Sequence, residues 1–295
     1  MIIPINKSND TFIDFAWRLS QRAETASYPR LASYEAVEAV FEKLSLKDTA
    51  EMIILEEDEH LQGLCAYFWI EADRYLQTTL FLVSEGADYR FVADSMVNFL
   101  KDRFATYTLY LGFPLDNQWA HSYFVKRSDL QYLDYNTVMQ WKHSEAYPYP
   151  DQQGIERVTE TNFEEYAPFH DRFALEEGIY WTSERLVKAL DRFVIFCLRR
   201  EGKILASLFG IYKPSNPEIF GIYIDPSESS LAIEDRLLRT FLAFVSHQSP
   251  KMECLYYFLE GDRDENAARI ARLESLGFRW KEDYFLAVLD PERTF

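Results

Sequence analysis

Glycine is scarce in this sequence, with 10 residues in 295. Loops that hold phosphate by close backbone approach therefore have few places to form. Cysteine is scarcer: Cys65, Cys197 and Cys254 each sit inside an apolar, strand-like run. An odd count in such places excludes a disulfide framework and reads as buried free thiols in a reducing cytoplasm. Apolar runs of the roughly 20 residues that a membrane helix needs are missing. The opening MIIPINKSND has no basic region followed by a long apolar core, so no secretory signal is expected there. Basic residues are in deficit, 31 Lys and Arg against 48 Asp and Glu, for a net charge of −17. Such a surface repels nucleic acid and anionic membrane and tolerates an amine-bearing partner. His60, His121, His143, His170 and His247 form no pair at metal-ligand spacing, and there is no Gly-x-Ser-x-Gly or Cys-x-x-Cys. The expectation is a cytoplasmic protein that uses no metal, nucleic acid or membrane.

What is present is apolar and repetitive. Hydrophobic residues make up 48% of the chain and aromatics 16%, enough for sizeable cores. The length suits two ordinary domains of about 150 residues. Residues 255–289, LYYFLEGDRDENAARIARLESLGFRWKEDYFLAVL, read as strand, loop, helix, turn and strand. Ile270, Ala271, Leu273 and Leu276 fall at helical spacing, and Gly277 stops that helix, because a left-handed residue after a helix costs least when it is glycine. The stretch TLYLGFPLDNQWAHSYFVKRSDLQYLDYNTVMQW repeats the layout, with Gly112 matching Gly261 and Asn117 matching Asn266 at an offset of 149. Upstream, MIILEEDEHLQGLCAYFWI parallels VIFCLRREGKILASLFGIY, with Leu61 matching Ile204 at an offset of 143. Four elements repeated in one order point to internal duplication.

Each half reads in the order β, α, α, β, β, β, α, β, α, β. Asn9 or Asp10 and then Ser33 are expected to cap the first two helices. The acidic turn at 56–59 and Glu201-Gly202 mark the two hairpins. Residues 143–154, HSEAYPYPDQQG, lack periodicity and form the expected linker. The fold class is therefore α+β: two tandem domains, 1–142 and 155–295, each a mixed, largely antiparallel sheet flanked by helices.

This layout, loop-Asn, short helix, Leu-Gly-Phe and strand, resembles the C-terminal part of a GNAT acetyltransferase. The resemblance implies N-acyl transfer from acetyl-coenzyme A to a small-molecule or peptide amine. GNAT proteins hold the cofactor's diphosphate on backbone N–H groups where the fourth strand passes into the next helix. Their motif is Gln/Arg-x-x-Gly-x-Gly/Ala. With Asp225-Pro226 ahead and Leu237-Leu238 behind, Ser229 replaces the Gln/Arg, Ala232 the first glycine and Glu234 the last small residue. The resemblance thus places cofactor binding at Ile224, Ser229, Ser230, Ala232, Ile233 and Asn266. The charge of Glu234 is expected to approach the diphosphate. In the first half, the loop 83–90 carries one glycine and does not fit the motif, so that domain is expected to be degenerate.

The chemistry needs a base for the ammonium and an acid for the leaving thiolate. Tyr223 and Asp225, with Glu218, are the polar candidates on the fourth strand. The family's tyrosine position holds Leu273 in the second half and falls near Phe124 in the first, where Tyr123 is the neighbouring hydroxyl. Tyr180-Trp181 lies where the family often lines its acceptor cleft. The altered loops also fit a second reading, a binding or scaffold protein that has lost acyl transfer.

Overall fold

The structure, a computed structural model, describes residues 1–5, 9–142, 147–176, 179–213, 216–228, 231–248 and 252–291. The first half forms β1 (Ile2–Ile5), α1 (Asp10–Ser20), α2 (Tyr34–Ser45), β2 (Ala50–Glu57), β3 (His60–Ile70), β4 (Tyr75–Val83), α3 (Tyr89–Arg103), β5 (Thr108–Pro114), α4 (Gln118–Phe124) and β6 (Leu130–Trp141). The second half repeats the order: β7 (Ile155–Arg157), α5 (Phe163–Glu176), α6 (Ser183–Val187), β8 (Phe193–Arg200), β9 (Lys203–Ile211), β10 (Glu218–Ile224), α7 (Leu231–Gln248), β11 (Leu255–Glu260), α8 (Ala267–Ser275) and β12 (Phe278–Leu289). The helix starts are where short polar side chains offer an acceptor to the first free N–H groups. Asn9 caps α1 by accepting from Phe12 N at 2.9 Å, and Ser33 caps α2 by accepting from Ala36 N at 3.1 Å. Gly277, after α8, has φ +95°, the left-handed geometry expected of a helix stop.

The chain divides into two compact units that follow the two sequence halves except at their last strands. The first comprises Met1–Asn136, Glu260–Asp262 and Glu282–Phe295; the second comprises Thr137–Leu259 and Arg263–Lys281. In the first, strands run β1-β2-β3-β4-β5 and then β12, which pairs antiparallel with β5 from Tyr284↔Pro114 to Leu289↔Leu109. Phe285, Ala287 and Leu289 complete a core with Val92, Met96 and Phe113. In the second, the order is β6-β11-β10-β9-β8-β7, and Met139 and Trp141 of β6 pack with Leu237, Phe241 and Phe278. The strand that finishes each unit's sheet thus comes from the other half of the sequence. Residues 143–146 of the expected linker lie outside the described residues. The rest lies along α7: Tyr147 N donates to Ser246 Oγ at 3.0 Å, and Arg236 donates to Gln153 O at 2.6 Å.

Each unit has a core on both faces of its sheet. In the first, α3 and α4 cover one face, and α1 and α2 cover the other. In the second, α7 and α8 cover one face, and α5 and α6 cover the other. No described helix is long and apolar enough to cross a membrane.

Candidate active site

In the second unit, β10 and β11 are parallel, and their register covers Glu218↔Tyr256 and Ile219↔Tyr257, at the start of both strands. On its other edge β10 stays with β9 as far as Ile224↔Ala206. The parallel ladder is therefore short, and beyond the C-terminal end of β10 a 3-10 turn, Pro226–Glu228, precedes α7. Side chains alternate about this strand. Ile222 and Ile224 lean on the α7 core, while Tyr223 enters the α5 core and is 4% exposed. The Tyr223 ring lies parallel to Phe173, with centroids 4.9 Å apart.

Asp225 follows. Its carboxylate accepts from Ser227 N at 3.0 Å and Ser227 Oγ at 2.7 Å, and it pairs with Arg172 of α5 at 2.9 Å. The Ser227 hydrogen bonds, then Arg172, hold this carboxyl down at about 2. A carboxylate that binds its proton so weakly is a poor base near neutral pH. Glu228 is held by Arg200 at 3.1 Å. Both carboxylates that precede α7 are thus taken up by arginines. Ser229 and Ser230 lie outside the described residues. Ala232 is exposed in the first turn of α7, whereas Ile233 is buried in the α7 core. Asn266 is 8% exposed at the N-cap position of α8, where its carbonyl accepts from Ile270 N at 2.8 Å.

The expected approach of Glu234 to a diphosphate is not what the side chain does. Its carboxylate turns to α8, 3.3 Å from Arg269 Nε and 3.4 Å from Arg272 Nη1, with 13% exposure. Arg269 also donates to Tyr257 OH at 2.5 Å, and Arg272 also holds Asp235 at 2.9 Å. The two arginines outcompete the helix start for the carboxylate, because a guanidinium offers paired, charged donors.

The first unit has the same elements with different occupants. The buried faces of α3 and α7 match at an offset of 145: Val92 with Leu237, Ala93 with Leu238, Met96 with Phe241 and Leu100 with Val245. Tyr89 then stands where Glu234 does. Asp88 Oδ1 accepts from Phe91 N at 3.2 Å, so an anionic side chain already occupies the start of α3. Asn117 caps α4, accepting from Ala120 N at 3.0 Å, and donates to Ala26 O at 2.9 Å. Tyr28 N donates to Gly112 O at 2.8 Å, and Arg22 pairs with Glu85. The α1–α2 connection is thereby fastened to β5 and to the loop before α3.

A groove of about 1220 Å³ runs between α3 and α4, lined by Tyr89, Asp94, Lys101, Trp119, Tyr123, Arg127 and Asp129 among others. Its charges mostly neutralise one another. Arg127 meets Asp129 at 2.7 Å and Asp94 at 3.1 Å, and Lys101 meets Asp129 at 2.6 Å. Burial opposes it, yet these cations hold the Asp129 carboxyl down at about 2. Tyr123 donates to Asp94 at 2.7 Å and also contacts Arg127, while burial pushes its hydroxyl pKa up. Ile224, Asp225, Ala232 and Ile233 follow one another along the end of β10 and the start of α7, whereas Tyr223 faces the α5 core on the opposite side of the strand from Ile224 and Ile233, and Tyr123 is in the other unit.

One polar cluster escaped the sequence reading. His170 of α5 is fully buried. Its Nε2 lies 2.6 Å from Trp181 O, an oxygen that only accepts, so Nε2 carries the hydrogen. Its Nδ1 then accepts from Tyr166 OH at 3.0 Å, and that hydroxyl lies 3.4 Å from Ser207 Oγ. Burial lowers the His170 pKa, which keeps the ring neutral. The signal was available: Tyr166 and His170 are four apart, which puts them on one helix face. Among the described residues no group of three or more His, Cys, Asp or Glu is placed to hold a metal.

No protein-family model matches the sequence, and no curated protein matches it. Solved structures do match. A GCN5-related N-acetyltransferase from Sphaerobacter thermophilus is similar over 100% of this chain and 97% of its own, with TM-score 0.63 and 15% identity. A tandem GNAT protein from the clavulanic acid biosynthesis pathway is similar over 100% and 99%, with TM-score 0.56 and 12% identity. The glucosamine N-acetyltransferase region of a fungal multi-domain GH3 β-N-acetylglucosaminidase matches 98% of this chain and 38% of that one, with TM-score 0.60 and 12% identity. At such identities the likeness is one of fold: the chain carries the fold of the GNAT acetyltransferases, α+β with a largely antiparallel sheet.

Proposed function

We propose that this protein is an N-acyltransferase that moves an acetyl group from acetyl-coenzyme A to an amine, with its one site in the second unit. The observation that carries the reading is the short parallel ladder of β10 and β11, which covers only the start of both strands and ends well before the C-terminal end of β10, the end from which the chain runs on to α7. A helix start offers unpaired N–H groups and the positive end of a dipole to an anion. The first turn of α7 fits a diphosphate because Ala232 is small and exposed, and because Asp225, Glu228 and Glu234 are each held by arginines. The start of α3 fits it badly, since the Asp88 carboxylate takes up the Phe91 N–H and brings a negative charge there, and Tyr89 replaces a small residue.

Acetyl-coenzyme A supplies the activated acyl thioester. Ser229, Ser230, Ala232 and Ile233 are assigned to its diphosphate, Ile224 to its arm and Asn266 to the α8 side. The acceptor ammonium gives up its proton to solvent water before the free amine attacks the carbonyl. Tyr223 is assigned the proton returned to the leaving thiolate. Asp225, with its depressed pKa, is assigned to holding the turn rather than to accepting that proton. The acidic chain, at net charge −17, favours a cationic amine as acceptor.

Titration calorimetry with acetyl-coenzyme A tests this. One micromolar site per chain, abolished by Ala232→Trp and untouched by Ala87→Trp, is the expected result. Absence of heat at millimolar ligand, with an unmoved melting temperature, would sink it and favour a non-catalytic scaffold.

A further inference from the structure

Two adjacent residues of α5, Arg172 and Phe173, grip Tyr223 near the end of β10 and Asp225 just after it. Phe173 stacks on Tyr223, with ring planes 7° apart, and Arg172 pairs with Asp225 at 2.9 Å. Arg172 is itself steadied, its guanidinium 4.7 Å from the Phe173 ring centre and 5.2 Å from that of Phe169. Asp225 is steadied separately by both donors of Ser227. Neither partner needs the other to keep its place, so little entropy is lost when they join. On the same face of α5 as Phe173, His170 also packs its ring 5.4 Å from that of Tyr223 and holds Trp181 O, and the adjacent Asp171 holds Ser183 N at 2.7 Å. One stretch of α5, residues 170–173, therefore ties the β10–α7 turn to the α5–α6 connection.

We propose that Arg172 is a positioning residue that couples acyl-donor binding at the β10–α7 turn to the acceptor wall formed by α5 and the segment at Trp181. This rests on the donor site assigned above. When the turn is fixed by a donor, Asp225 is fixed with it. Arg172 passes that constraint to α5, and His170 and Asp171 pass it on to Trp181 and Ser183. Tyr223 is held on the same α5 surface, so the strand that carries the proton donor and the helix that faces the acceptor move as one body.

The test is hydrogen exchange by mass spectrometry on full-length protein, with and without acetyl-coenzyme A, in wild type, Arg172→Gln and Arg172→Lys. In wild type the ligand should slow exchange in α5 by about threefold, the range that a half-exposed ion pair transmits. Arg172→Gln should lose that ligand-linked protection in α5 while the first turn of α7 keeps its own, because Asp225 retains both Ser227 bonds. Arg172→Lys should restore part of it. In turnover, Arg172→Gln should raise the acceptor KM more than the donor KM. A merely structural role would lower the melting temperature of Arg172→Gln without removing protection selectively. Equal protection of α5 in wild type and Arg172→Gln overturns the coupling and leaves the donor site standing. No binding by wild type overturns the donor site, and the coupling with it. Where Arg172→Gln fails to fold, Ser227→Ala is read instead: it loosens Asp225 from the turn, and unchanged α5 protection there also overturns the proposal.

Discussion

Glu234→Gly should raise affinity for coenzyme A and lower stability, and the two effects can be sized separately. The carboxylate is 13% exposed and touches two guanidinium groups at 3.3 and 3.4 Å. Both arginines keep another partner, Tyr257 for Arg269 and Asp235 for Arg272, so neither is left isolated. The lost charge-assisted contacts are long. Together with glycine in a helix, their removal is expected to cost about 2–3 kcal/mol of stability. On the ligand side, one negative charge in the first turn of α7 is expected to oppose a diphosphate there by about 1.2 kcal/mol, the order of a screened interaction between charges several ångströms apart. Its removal corresponds to roughly an eightfold drop in Kd. The freed Arg269 and Arg272 would act in the same direction. Calorimetry with coenzyme A gives the first quantity, and urea unfolding gives the second. An unchanged or weaker affinity, with the expected loss of stability, would refute the placement of the diphosphate at the start of α7.

Three further outcomes are expected. A fragment of residues 155–295 lacks Met139 and Trp141 of its unit's core, and at about 2–5 kcal/mol for each such side chain it should fail to fold; a cooperative melt of that fragment would contradict the strand arrangement. His170 has a native pKa below its unfolded value of 6.5, so the native state binds fewer protons below that pH. Stability should be full above about 6.5 and fall as pH drops below it, by at most about 1.4 kcal/mol per unit, and His170→Gln should flatten that slope in denaturant titrations at pH 5–7. All three thiols are buried, and burial pushes Cys65 up and Cys197 up to about 12, so Ellman's reagent should label the protein only after denaturation.

Periodicity and caps carried most of the local structure. Helical spacing in Val37, Phe41 and Leu44, or in Ile270 and Leu273, is imposed by 3.6 residues per turn whatever the helix packs against. Asn9 and Ser33 cap because a short acceptor satisfies free N–H groups wherever a helix begins. The repeat, and with it the GNAT fold, was legible for the same reason. The strand–turn–helix at 218–248 was also legible, since Tyr223, Ile224, Asp225 and Ala232 are neighbours along the chain.

Partner choice across long separations was decided only by the tertiary structure. The last strands of the two halves, β6 and β12, are both β-forming runs of the same length, 12 residues, and either suits either sheet by pattern alone. Which edge each joins is settled by packing: Trp141 and Met139 fill the core of one unit, and Phe285 and Leu289 fill the other. The charge of Glu234 is written in the sequence, but its direction depends on arginines 35 and 38 residues away. The depressed carboxyl of Asp225 is set first by Ser227, two residues on, and only then by Arg172, more than fifty residues earlier, so its ion pair, unlike its turn, depends on the packed chain. Local sequence determines which elements form because backbone sterics and periodicity act within a few residues; which charges meet and which strands pair is decided by the folded chain, because those interactions exist only once distant segments are packed together.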